Sequence, residues 1–171
     1  VGDTEAIEAL FVALDEAGKA PDILVNNAAA NPYFGPMLEM DLGSYQKTVD
    51  VNLRGYFWAT VQAARRMKAK GGSIVNIASV NAKRPAHGQG VYSMTKAGIV
   101  NMTEAFAKEL AAHGIRVNAI APGPVDTEMA KLVHSVAIRA DYHDVIPLNR
   151  YGTVEEVANA VSFLCSPEAS Y

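Results

Sequence analysis

The sequence has a single cysteine, Cys165, so no internal disulfide can staple the fold and a reducing, cytoplasmic setting is expected rather than a secreted one. Cys165 closes the apolar run "AVSFLC", which suits a small buried hydrophobe better than a catalytic thiol. Its four histidines, His87, His113, His134 and His143, fall at no metal-ligand spacing and lie far from the cysteine, so no metal site is expected. No segment has the length or polarity of a membrane span, and neither a membrane anchor nor a signal peptide is expected. Basic blocks are also missing. With a net charge of −3, and Arg65, Arg66, Lys68 and Lys70 as the densest cations at an expected helix end, nucleic acid is not an expected partner. There are no internal repeats and no low-complexity tracts.

What remains is the composition of an ordinary soluble domain. The 171 residues are 50% hydrophobic and 19% charged, enough for one domain, 1–171, with a real core. Residues 3–18 carry Ile7, Leu10, Phe11 and Leu14 on one stripe, with Asp3 or Thr4 to cap and Gly18 to stop a helix. "DILVN" (22–26), "SIVNIAS" (73–79) and "IRVNAIA" (115–121) read as buried strands. Helical patterns fill 41–67, 91–112 and about 153–165, while 127–150 is mixed with weak helical character. Strands apolar along their whole length are buried on both faces of a parallel sheet. The alternation therefore predicts an α/β, Rossmann-like three-layer αβα fold with right-handed crossovers.

Ligands of such sheets bind beyond the carboxyl ends of the strands. Here those ends are followed by "NNAAANP", "SVNAKRP" and "PGPVDTEM". Next to them, "VYSMTKAG" (91–98) places Tyr92 and Lys96 one helical turn apart. A phenol titrates near 10, and a cation beside it favours phenolate and so brings it toward neutral pH. With seven tyrosines in the chain, the pair alone is close to what chance supplies. Ser79, at the end of the second strand, adds a hydroxyl that could donate to a carbonyl oxygen while Tyr92 moves the proton, although a strand-end serine can equally just start a turn. Asn52, among apolar neighbours in the 41–67 helix, needs partners: it could satisfy backbone groups near Gly55, or hold a water connecting to Lys96.

"DILVNNAA", "VNLRG", "IVNIAS", "YSMTK" and "RVNAIAPGPVDTEM", in this order and spacing, resemble the short-chain dehydrogenase/reductase family over almost the whole chain, and "NNAAANPYFG" and "SFLCSPEASY" look like its carbonyl-reductase and gluconate-dehydrogenase-like members. The resemblance implies a catalytic tetrad of Asn52, Ser79, Tyr92 and Lys96. Tyr92 would be the general acid/base and Ser79 would hold the substrate oxygen. Lys96 would lower the Tyr92 pKa and bind the nicotinamide ribose, and Asn52 would anchor a relay water. It implies NAD or NADP as cofactor, with Asn26, Ala28, Tyr92, Lys96, Pro122, Gly123, Val125 and Thr127 on the cofactor side. Ala29 departs from the family's usual glycine. A small carbonyl or secondary alcohol would be the substrate, met by Asn31, Val80, Asn81 and Gln89, with Pro32, Tyr33, Phe34, His87 and Met129 nearby.

The resemblance also implies that the glycine-rich pyrophosphate turn, the first strands and the last strand lie outside residues 1–171. The outer strands of the chain would then each lack a neighbour. The helices 41–67 and 91–112, with Tyr56, Trp58, Val100 and Phe106 beyond one stripe, would form the contact of a homodimer or homotetramer. Two other functions stay open at this stage: a non-catalytic interaction module on this scaffold, and a dehydratase or epimerase using the same tyrosine.

Overall fold

The computed structural model describes residues 1–171 except for the side chains of Met129, Leu132, Val133 and Ala137, so the expectation for Met129 lies outside the described residues. Helix α1 (Thr4–Glu16) begins where the Asp3 carboxylate accepts from the Glu5 and Ala6 amides, and ends before Gly18, whose φ of 66° only glycine adopts cheaply. Strand β1 (Ile23–Asn26) leads through a proline-rich loop to α2 (Leu42–Val49), capped by Asp41. One π-helical turn, Asp50–Arg54, joins α2 to α3 (Gly55–Met67) without breaking the rod. Strand β2 (Gly72–Ile77), α4 (Gly90–Leu110) and β3 (Ile115–Ile120) follow. The mixed segment resolves into α5 (Glu128–Val133) and α6 (Val136–Val145). Last comes α7 (Val154–Cys165), opened by a reciprocal Thr153–Glu156 capping box.

The three strands form a parallel sheet in the order β1-β2-β3, with Asn26 opposite Asn76 and Val75 opposite Asn118. Its two faces can be told apart by alternation. Ile74, Ile115 and Val117 pack with Ile7, Phe11, Ala63 and Met67 beneath α1 and α3. Ser73 and Arg116, on the opposite face, both donate to the Leu164 carbonyl of α7. A second cluster, Tyr56, Ala78 and Ile99, packs α3 against α4.

Three expectations change here. Leu10 is 57% exposed, because Ile7, Phe11 and Leu14 take the inward face and Leu10 sits a hundred degrees round from Phe11. Burial of every strand on both faces holds for β2 alone. In β1, Ile23 and Val25 are 50% and 41% exposed, since α7 covers only the part of that face over β2 and β3. Tyr56, expected on the outer face of its helix, is fully buried; the exposed ring is Phe57, which stacks on Trp58 and lies tilted against Phe106.

Candidate active site

All three post-strand loops meet at the carboxyl edge of the sheet. Beyond β2 the ladder continues irregularly: Ala78 donates to the Ile120 carbonyl and Val80 to the Pro122 carbonyl, which fastens the 78–80 turn to the 120–122 turn. Ser79 lies between these two anchors. Its hydroxyl accepts from the Asn81 amide at 3.2 Å and caps a single 3-10 turn, Val80–Ala82, so the serine does start a turn. The chain then returns so that Tyr92 falls in the first turn of α4, beside Ser79.

Lys96 is 1% exposed. Its ammonium donates to the Ile77 carbonyl at 2.7 Å and lies 5.5 Å from the centre of the Tyr92 ring and 5.6 Å from that of Tyr56. Burial brings its pKa down from 10.5 to about 8. Tyr92 goes the other way from the sequence argument. Burial raises its pKa, and only the Ser79 hydroxyl works against the rise. The Lys96 ammonium is itself disfavoured by burial and donates to a carbonyl, and at Tyr92 burial is the larger effect, so the net shift is upward.

Asn52 occupies the π turn and is fully buried. Its carboxamide oxygen accepts from the Ala30 amide at 2.7 Å, and its nitrogen donates to the Ala30 carbonyl and to Thr95 Oγ1, each at 3.0 Å. The groups it satisfies are thus those of the turn after β1, not those near Gly55. The extra residue of the π turn allows a helix-borne side chain to reach across to that turn. Neither Ala30 nor Thr95 stood out in the sequence, because a backbone clasp leaves no signature and Thr95 reads only as a neighbour of Lys96.

Of the other residues expected on the cofactor side, Asn26 spends one amide proton on Thr60 Oγ1 of α3 at 3.1 Å and the other across the sheet on Asn76 Oδ1 at 2.9 Å. Asn76 passes the chain on to Thr103 Oγ1 at 2.9 Å. Ala28 is half-buried after β1. Pro122 anchors Val80, Val125 bridges to Gly152, and the Thr127 hydroxyl caps α5 by accepting from the Ala130 amide. Gly123 has open space where a side chain would begin. A cavity of about 430 Å³ borders Ile120, Pro122, Gly123, Val125, Arg150 and Glu156 and includes none of the four tetrad residues. There Arg150 grips Glu156 by two bonds and holds its carboxyl down at about 2.

Of the residues expected on the substrate side, Asn81 Nδ2 donates to Gln89 Oε1 at 3.1 Å, and nearby the Gly35 amide donates to the Gly88 carbonyl. This joins the loop after β1 to the loop before α4. Asn31 and Gln89 line a small cleft with Tyr92, while Val80, 40% exposed, faces outward. Among the described residues, no cluster of His, Cys, Asp or Glu could hold a metal, and no helix is long and apolar enough to cross a membrane. Cys165 is partly buried, and burial pushes its thiol upward.

The family model described as enoyl-(acyl carrier protein) reductase matches residues 1–171. A 3-oxoacyl-[acyl-carrier-protein] reductase, FabG, of Aquifex aeolicus is 43% identical over 170 residues, covering 98% of this chain and 67% of that protein. Dehydrogenase/reductase SDR family member 4 of Oryctolagus cuniculus is 38% identical over 173 residues, covering 100% of this chain and 66% of its own length. The chain thus spans about two thirds of the curated relatives it matches. Among solved structures, a putative gluconate dehydrogenase from Agrobacterium tumefaciens superposes with a TM-score of 0.95 at 34% identity, over 99% of this chain and 68% of that one. So do a 4-hydroxyisoleucine dehydrogenase complexed with NADH and a blue fluorescent protein from a metagenomic library in complex with NADPH. Their TM-scores are 0.91 and 0.89 at 30% and 33% identity; each covers 99% of this chain, which covers 72% and 68% of theirs.

Proposed function

The chain belongs to the short-chain dehydrogenase/reductase family, and on that premise we propose that it carries the proton-transfer site of an NAD(P)-dependent oxidoreductase acting on a small carbonyl or secondary alcohol. The observation that carries this reading is the convergence of Ser79, Tyr92 and Lys96 at the carboxyl edge of the sheet, with Lys96 buried and its proton weakly held.

The residues present fit a nicotinamide nucleotide. The buried Lys96 ammonium has three protons and uses one on Ile77, which leaves donors for a ribose hydroxyl. Open space at Gly123 lets a ring approach the backbone after β3. When bound, the nicotinamide supplies or takes the hydride. Tyr92 would give its phenolic proton to the carbonyl oxygen in reduction and take it back in oxidation, while the Ser79 hydroxyl would donate to the same oxygen. Lys96 would then do its electrostatic work with its charge held by a ribose and the developing phenolate. Pro122 and Gly123 would face the nicotinamide, and Ala28 the cofactor beyond β1. The NADH and NADPH complexes of the two structural neighbours support either nucleotide.

Asn31, Asn81 and Gln89 would receive the substrate. Their amides suit a hydroxylated or oxo-bearing molecule of modest size. The part-exposed Phe57, Trp58 and Phe106 rings on the outer faces of α3 and α4 suit the contact of a homodimer or homotetramer.

The test is Tyr92→Phe in the full-length protein, assayed by oxidation of NADPH or NADH with a panel of ketones. Loss of the acid should lower the rate by ~10²–10⁴-fold. Turnover equal to the wild type would overturn the assignment.

A further inference from the structure

We propose that Thr95 is a positioning residue for Tyr92, coupling the first turn of α4 to the turn after β1 through Asn52; this rests on the proton-transfer role proposed for Tyr92. Thr95 is fully buried and its hydroxyl is used twice. It donates to the Tyr92 carbonyl at 2.7 Å and accepts from Asn52 Nδ2 at 3.0 Å. Asn52 in turn holds both the amide and the carbonyl of Ala30. One uninterrupted line of hydrogen bonds therefore runs from the backbone of the β1 turn, through the π turn, to the backbone of Tyr92.

A buried threonine in a helix often bonds back to a preceding carbonyl, and that alone is only local packing. The same helix contains the comparison that separates the two roles. Thr103, two turns further on, donates to the Ile99 carbonyl at 2.7 Å and accepts from Asn76 Nδ2 at 2.9 Å. The two clasps share chemistry and burial, and differ in what they hold. Thr103 ties α4 to the middle of the sheet, whereas Thr95 holds the residue whose phenol stands beside Ser79. With the Thr95 hydroxyl gone, an Asn52 proton has no buried acceptor. The penalty is relieved when the first turn of α4, no longer tied to Asn52, moves, and that motion carries Tyr92 away from Ser79. Because Ser79 is the group opposing the upward shift of the phenol, its loss raises the Tyr92 titration further.

The experiment compares Thr95→Val with Thr103→Val in the full-length protein, and tests Thr95→Ser for rescue. The readouts are the Tyr92 titration, followed by NMR of ring-labelled tyrosine without nucleotide, and the rate of NADPH or NADH oxidation with the ketone panel. Both valine variants should lose stability. Thr95→Val alone should move the Tyr92 midpoint upward by ~0.5 pH unit or more and lower kcat about tenfold, with KM for the nucleotide within about twofold. Thr95→Ser should restore both. Equal Tyr92 titrations in the two valine variants would overturn the proposal. So would failure of both Thr95→Val and Thr95→Ala to fold, which would make Thr95 a structural group. If instead Tyr92→Phe keeps its activity, the proton-transfer reading falls by itself, and the titration arm still decides whether Thr95 positions Tyr92.

Discussion

Replacing Lys96 by methionine should leave a signature in the pH dependence of stability that no surface lysine would leave. The side chain is 1% exposed and its pKa falls from 10.5 to about 8 because burial disfavours the ammonium. That lowering corresponds to about 3 kcal/mol of stability forfeited at neutral pH. Against it stands the 2.7 Å bond to the Ile77 carbonyl, a charge-assisted contact of about 1.5–3 kcal/mol. Methionine fills the same channel without charge, and Ile77 keeps only the longer bond from the Tyr56 hydroxyl at 3.4 Å. The two effects nearly cancel at pH 7, so Lys96→Met should lie within about 1.5 kcal/mol of the wild type there.

The pH profile separates them. A lowered lysine value means that the unfolded chain binds the proton more firmly than the folded one. The penalty is therefore complete below pH 8 and is relieved as pH rises from 8 toward 10.5. Between pH 7 and 9.5 the wild type should gain about 2 kcal/mol that Lys96→Met does not. Equilibrium urea unfolding followed by fluorescence reports this directly, since Trp58 is the one tryptophan and packs against the core beneath α1 and α3. Parallel stability curves for the two proteins over that range would refute the account of Lys96 as a buried, strained cation.

Asn52→Ala should destabilise by about 2–4 kcal/mol in urea unfolding, because it strips partners from both polar groups of Ala30 and from Thr95. A loss below 0.5 kcal/mol would argue against the clasp. Asn76→Ala should cost about as much, since it orphans an Asn26 proton and removes a donor from Thr103. Phe57→Glu should lower the oligomeric state in sedimentation while leaving the unfolding free energy of the protomer within about 0.5 kcal/mol of the wild type. An unchanged sedimentation coefficient would remove Phe57 from the interface.

Periodicity and caps made most of the architecture legible. Ile7, Phe11 and Leu14 announce the inward face of α1, Asp3 its start and Gly18 its stop, and the apolar runs locate all three strands to within two residues. The site was legible to the extent that local spacing encodes it: Tyr92 and Lys96 share a helical face, and Ser79 follows a strand. What spacing does not encode is the balance of long-range terms. The sign of the Tyr92 shift depends on how deeply α4 sits, and the partners of Asn52 depend on a turn 22 residues earlier. The open face of β1 escaped notice for a related reason. "ILVN" describes the strand, while exposure depends on whether α7 reaches over it.

The paired asparagines at the ends of β1 and β2 act as an alignment key. Apolar parallel strands slide easily past one another in steps of two residues, because such a step keeps every side chain on its own face. Here a slide would carry Asn26 about 6.6 Å from Asn76 and break the bond between them, leaving an Asn26 amide proton and the Asn76 carboxamide oxygen buried without that partner. Because Asn76 also grips Thr103, the same key indexes β2 against α4. Ser79 stands three residues beyond Asn76, and Tyr92 is borne by the helix that Asn76 holds. A β2 strand slipped against α4 would therefore part the Ser79 and Tyr92 hydroxyls, so the hydrogen bonds that reject wrong pairings during folding also set the spacing of the proposed proton-transfer pair.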